Sequence, residues 1–281
     1  MLDAISAELL KFRRHRATWG LVWIWPLGVL FILTVAIIVQ VAKGEVGRPD
    51  TLASWIDDSA DFWQIPLEPI GRYLSCAFVA VVFAGEYGWN TWKLIVPHRA
   101  RNSLIAAKYV VAIGLLICGF TLGALLFNLL NWLKDLATGT PIPAGITGAA
   151  LLKAHGLAAL AALGPLLISV AYTSLAAILT RSTIAALVIG LVITTVERLF
   201  RFFAPMLESF APGLIGGLYK VLPGYHLANL GEWLTEGHAL VVPFPSGAFS
   251  MAPGASLAIV AAWTIGLILL TFRLFRRQDI N

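Results

Sequence analysis

Residues 19–42 read WGLVWIWPLGVLFILTVAIIVQVA, and no charged side chain falls anywhere between Arg16 and Lys43. A helix rises about 1.5 Å per residue, so about 20 apolar residues cross the hydrocarbon core of a bilayer. Such a segment has no amphipathic face to turn toward water and marks a membrane-spanning helix. Further uncharged or sparsely charged runs occupy about 62–85, 104–133, 154–180, 182–200 and 255–273, with Pro165 as a kink point in the fourth. Backbone polar groups in lipid must be satisfied within the segment, so all six are expected as helices. The alternation of a membrane β-barrel is absent. The expected fold is an all-α polytopic membrane protein, with a single transmembrane domain at 19–281 behind an amphipathic helix at 1–18. The basic opening (Lys11, Arg13, Arg14, Arg16) has the outline of a signal peptide. Its apolar core is too long and no small-x-small cleavage site follows, so it reads as a retained span.

Composition agrees. Of 281 residues, 59% are hydrophobic and 12% charged, half the share of about 25% found in soluble domains. Mean hydropathy is +0.83. A soluble enzyme, a nucleic-acid-binding domain and a disordered tail protein are excluded. The ten Trp fit a chain that meets two membrane interfaces. Cys76 and Cys118 lie in apolar runs and read as small buried hydrophobes rather than a disulfide or metal pair.

The net charge of +5 reports orientation. With both termini inside, 12 of the 20 basic residues fall on the cytoplasmic side with four of the 15 acids. The inner side nets +8 and the outer side −3, and the opposite orientation would invert the bias. On the inner face, Ile5, Leu9 and Phe12 repeat at helical spacing among basic residues, the pattern of an interfacial helix. The inner loop 86–103, EYGWNTWKLIVPHRARNS, predicts a short helix from about Glu86 to Val96, with Asn102 or Ser103 capping the third span. The outer segment 197–254 is rich in Pro and Gly yet apolar. It predicts short helices at Leu214 to Leu222 and Leu227 to Leu234, packed as a cap over 205–254 or dipping into the membrane.

Catalytic motifs are sparse. No Gly-Lys dipeptide occurs, so there is no P-loop, and neither His-Glu-x-x-His nor Gly-x-Ser-x-Gly is present. Asp57, Asp58 and Asp61 form an Asp-Asp-x-x-Asp pattern, which could hold Mg²⁺ for a diphosphate in an intramembrane prenyl transferase. It stands without the second acidic motif such an enzyme needs, and reads as a solvated acidic loop. Glu68 and Arg72 are four apart, one helix face, and Arg72 is expected to pair with Glu68 first and Glu197 second. Ion-driven carriers place ionisable groups at mid-bilayer. The other span interiors read as uncharged, which favours a transporter powered from elsewhere over an energy-independent carrier or channel.

Four stretches together resemble the six-span permease subunits of ABC-2 type ATP-binding cassette exporters. These are AELLKFRRHRATW (7–19), GEYGWNTWKLIVPHRARNSLIAAK (85–108), LTRSTIAALVIGL (179–191) and LFRRQDI (274–280). The second is similar to the family's E-Y-x-x-G-T stretch, with Asn90 where the family has Gly. The resemblance implies a non-enzymatic subunit that binds no cofactor, with ATP and Mg²⁺ held by a separate ATPase present in two copies. It implies a second permease, as homodimer or heterodimer, surrounding lipid, no nucleic acid, and a bacterial cytoplasmic membrane location. Glu86, Tyr87, Trp89, Thr91, Trp92, Arg99 and Arg101 would then belong to a coupling helix, and the Pro/Gly-rich segment to re-entrant helices before the last span. An apolar drug, antimicrobial peptide or lipid-like cargo suits the uncharged lining.

Overall fold

A computed structural model describes residues 1–47, 50–89 and 91–279. Six of its helices are long and apolar enough to span a membrane: α3 (Ile24–Lys43), α5 (Pro69–Gly88), α7 (Arg101–Thr138), α8 (Gly148–Thr180), α9 (Thr183–Leu207) and α12 (Pro253–Arg277). Shorter helices sit between and before them: α1 (Leu2–Arg13), α2 (Arg16–Leu21), α4 (Leu52–Ser59), α6 (Trp92–Ile95), α10 (Pro212–Val221) and α11 (Pro223–Thr235). The described residues hold one small hairpin, β1 (Val242–Phe244) antiparallel to β2 (Gly247–Phe249). The all-α polytopic fold is as expected.

The bundle is built around α8, the most buried span, against α5, α9, α11 and α12. Small residues permit the close approach that packing in lipid relies on. A Cβ at Gly190 of α9 would meet Thr173 Oγ1 of α8 at 2.5 Å and Cys76 of α5 at 3.4 Å. A Cβ at Gly119 of α7 would lie 2.9 Å from the Val22 carbonyl oxygen. In contrast, α3 packs mainly along α7 and turns Phe31, Ile32 and Ile38 outward, as a lipid-facing helix does. Cys76 is buried as expected, whereas Cys118 faces out of α7.

Helix ends depart from the sequence expectations for local reasons. The amphipathic helix is broken after Arg13, where His15 Nδ1 accepts from the Ala17 N–H and starts α2. The first span begins at Ile24, not residue 19: Pro26 has no N–H to give, so it fits only in a helix's first turn. The third begins at Arg101 behind Ala100, so neither Asn102 nor Ser103 is its cap. It continues past Lys134 to Gly139, whose φ of 70° closes it in the left-handed conformation. The fifth runs past residue 200 to Leu207, so Arg201 as well as Glu197 and Arg198 lies within α9. The predicted helix from Glu86 to Val96 is divided between the end of α5 and four-residue α6, followed by a 3₁₀ turn at Val96–His98. Asn90 lies outside the described residues.

After α9 the chain forms a folded cap. The predicted short helices appear as α10 and α11, and α11 opens at Pro223, four residues before the expected Leu227. Tyr225 donates to the Leu240 carbonyl (2.8 Å) and accepts from the Met251 N–H (3.0 Å). The Asn229 amide donates to Met251 O and Ser256 Oγ, and its oxygen accepts from the Leu240 N–H. Glu208 accepts from the Ser246 N–H and hydroxyl.

Candidate functional site

Both described termini lie at one end of the bundle. Arg99 pairs with Asp3 at 3.4 Å, and Arg101 donates to the carbonyls of Phe275, Arg276 and Gln278 at 3.1, 3.0 and 2.5 Å. A cation on the last carbonyls of α12 satisfies groups the helix cannot and complements its dipole. Arg101 therefore fixes the C-terminal helix instead of projecting outward.

Deeper in this end lies a charge cluster. Glu86, 3% exposed, accepts at Oε1 from Lys108 (2.7 Å) and Lys11 (2.5 Å). The Lys108 ammonium also donates to Glu8 Oε1 and the Val82 carbonyl, both at 2.7 Å, and lies 5.3 Å from the Trp92 ring centre. All three of its protons are thereby engaged. Charges this buried are tolerated only when paired and hydrogen-bonded, and losing one partner costs about 3–5 kcal/mol. The cluster ties α1, α5 and α7 into one unit. Trp92 is 2% exposed, 4.7 Å from the Phe275 ring and 5.8 Å from that of Tyr87. Tyr87 donates to Gln278 Oε1, and the Gln278 amide to the Ile178 carbonyl, which joins α12 and the α8–α9 turn to the same unit.

The seven residues expected at the coupling helix therefore divide. Glu86 and Trp92 are inside, Tyr87 is half-buried, and Arg101 holds the chain's own terminus. Thr91 precedes α6, and its carbonyl accepts from the Leu94 and Ile95 N–H groups. Trp89 and Arg99 are at the surface, Trp89 being 66% exposed, and Leu94 beside them is 71% exposed. Sequence reasoning missed Lys108, Glu8, Lys11 and Leu94. The signal for Lys108 was its seven-residue spacing from Arg101, two turns along one helix face.

At the opposite end Arg72 is 7% exposed, one turn into α5. Its Nη1 donates to Glu197 Oε1 (2.6 Å) and its Nε to Ser169 Oγ (2.9 Å), while Tyr172 donates to Glu197 Oε2 (2.9 Å). The expected first partner, Glu68, is not bonded to Arg72. Glu68 is the residue before α5, with extended backbone (φ −81°, ψ 156°), so the four-residue helical spacing does not operate. It pairs at the surface with Arg198 (2.7 Å).

Asp57 and Asp58 lie on α4 and Asp61 opens the 3₁₀ segment Asp61–Leu67. Burial, and then the neighbouring charges of Asp58 and Asp57, raise the Asp61 carboxyl above the usual range. Among the described residues no group of three or more His, Cys, Asp or Glu side chains is arranged to hold a metal ion.

The family model described as "ABC-2 family transporter protein" matches residues 4–197, from α1 to the buried Glu197 of α9. No curated protein and no solved structure matches the chain. The match covers more than two-thirds of the chain, from α1 through the first four spans and into α9, and leaves α10 to α12 outside it. On that ground the chain belongs to the ABC-2 family of transporter proteins, as a multi-pass membrane permease.

Proposed function

We propose that this permease is the membrane half of an ATP-driven exporter, with both termini cytoplasmic, in a bacterial inner membrane. ATP and Mg²⁺ bind a separate ATPase, in keeping with the lack of a P-loop in this sequence, and the family resemblance implies two copies of it per transporter. The observation that supports a docking site at the terminal end is the division of residues at the α5–α6 turn. Trp89 and Leu94 stand exposed, while Glu86 and Trp92 anchor the same turn into α1, α7 and α12. Exposed side chains make the contact, and the buried cluster carries movement of the turn into the spans. Ile184, Val188, Val192, Val196 and Phe203 form an exposed apolar stripe along α9, which suits a facing second permease. The cargo is apolar or amphipathic, a drug, antimicrobial peptide or lipid-like molecule.

The test is co-purification of the permease with its partner P-loop ATPase. A Trp buries about 150–250 Å², worth at most ~4–6 kcal/mol by area. Trp89→Ala should weaken assembly at least tenfold, about 1.4 kcal/mol, with the thermal midpoint of the permease unchanged. Trp92→Ala should lower that midpoint instead. Intact assembly and transport in Trp89→Ala and Leu94→Ala would move the docking surface to the turn at Thr180 to Thr183.

A further inference from the structure

At the far end a cavity of about 60 Å³ opens between α5, α9 and the start of α11, lined among others by Arg72, Thr194, Glu197, Arg198, Arg201 and Gly224. That is several times the ~10–15 Å³ one water occupies. Its charges do not cancel. Both oxygens of Glu197 are engaged, by Arg72 and by Tyr172, and Glu68 is engaged by Arg198. Three guanidinium groups and one carboxylate line it, Arg198 pairs with Glu68 outside the lining, and among the described residues the Arg201 guanidinium has no ion pair or hydrogen bond. Arg72 contributes charge to the wall and no free donor: its Nη2 has no hydrogen-bond partner, but it is closed off from the cavity on a side chain more than nine-tenths enclosed.

The first turn of α11 adds a third positive feature. It has no side-chain cap and no acidic residue, so its N–H groups carry the partial positive charge of a helix start. It abuts the same residues: a Cβ at Gly224 would lie 2.8 Å from the Glu197 carbonyl oxygen and 3.5 Å from Arg201 Cβ. Glycine is what lets the helix start come this close.

We propose that this cavity binds a phosphate-type oxyanion, held by the Arg201 guanidinium and the N–H groups that open α11. Arg201 lies about 27 Å along α9 from Thr183, and the hydrocarbon core is about 30 Å thick. An α9 that spans the membrane thus brings Arg201 to the edge of the hydrocarbon core, within a long side chain's reach of lipid headgroups, and the occupant is either a phospholipid headgroup or a free oxyanion. The assignment does not depend on the exporter reading.

The experiment uses the full-length permease, delipidated in an uncharged maltoside detergent, and follows its thermal midpoint. The probes are dioleoylphosphatidylglycerol, dioleoylglycerol as a lipid without a phosphate, and sodium phosphate against sodium chloride at equal ionic strength. Phosphatidylglycerol should raise the midpoint at least about 3 °C above dioleoylglycerol. A rise with the lipid alone identifies a headgroup site, and a matching rise with sodium phosphate a free oxyanion site. Arg201→Gln should abolish the rise while keeping both ion pairs. Ala228→Leu, which fills the cavity wall and keeps every charge, should also abolish it and decides the matter if Arg201→Gln does not fold. No rise with either phosphate probe in the wild type, or an undiminished rise in a folded variant, overturns the proposal.

Discussion

An arginine one turn inside a membrane-spanning helix is held by what surrounds it, since burying an unpaired guanidinium is among the costliest events in lipid. Arg72 meets that cost through Glu197, Ser169 and Tyr172, on two other helices. Removing one side of such a pair exposes the full penalty on the other, so Arg72→Ala should cost about 3–5 kcal/mol. A double-mutant cycle on unfolding stability separates the partners. Arg72→Ala with Glu197→Gln should be non-additive by about 1–3 kcal/mol, and Arg72→Ala with Glu68→Ala additive within about 0.5 kcal/mol. Stronger coupling to Glu68 than to Glu197 would contradict the geometry. Four-residue spacing suggested the wrong acid because it presumes one continuous helix, and the helix starts a residue too late for Glu68 to belong to it.

Among the elements, α11 carries the clearest pH signal. His226 is fully buried, its ring bonded to the Lys220 carbonyl (3.0 Å) and to Ser256 Oγ (3.0 Å). Asn229 also donates to Ser256 Oγ, which leaves the hydroxyl proton for His226 Nδ1 and places the ring proton on Nε2. Burial lowers the His226 pKa below 6.5. The stability this contributes is complete above pH 6.5. As pH falls toward the folded pKa it is lost, by up to about 1.4 kcal/mol per unit, because the unfolded chain takes a proton that the folded one refuses. Thermal midpoints should therefore drop between pH 7.5 and 5.5 by more in the wild type than in His226→Gln. An equal drop in both would remove His226 as the cause. The cap itself was legible as short helices in apolar, Pro-punctuated sequence. Its closure by Tyr225, Asn229 and Glu208 was not, because each reaches a partner 15 or more residues away.

For the whole molecule, the charge split of +8 against −3 predicts that reporter fusions at Asp58, Asp135 and Glu236 read outside and those at Arg101 and Arg181 inside. The fold groups these positions compatibly: Trp55 bonds Asp135 across the far end, and Gln278 reaches the Ile178 carbonyl beside the α8–α9 turn. An inside signal at Asp135 would break the topology. The six spans, their order and the family resemblance were fixed by sequence, because a run of about 20 apolar residues has one stable environment whatever its neighbours do. Span ends were less legible. Charge ends the hydrophobic run but not the helix, so α7 extends beyond Lys134 and α9 through Glu197, Arg198 and Arg201. What only the tertiary structure decided is which polar residues face inward. Glu86 and Trp92 stand in a loop-like, mixed sequence and are buried, while Trp89, three residues from each, is exposed. The reason is that burial of a charge depends on a partner brought from another helix, here Lys108 and Lys11 for Glu86, and no local pattern encodes that meeting.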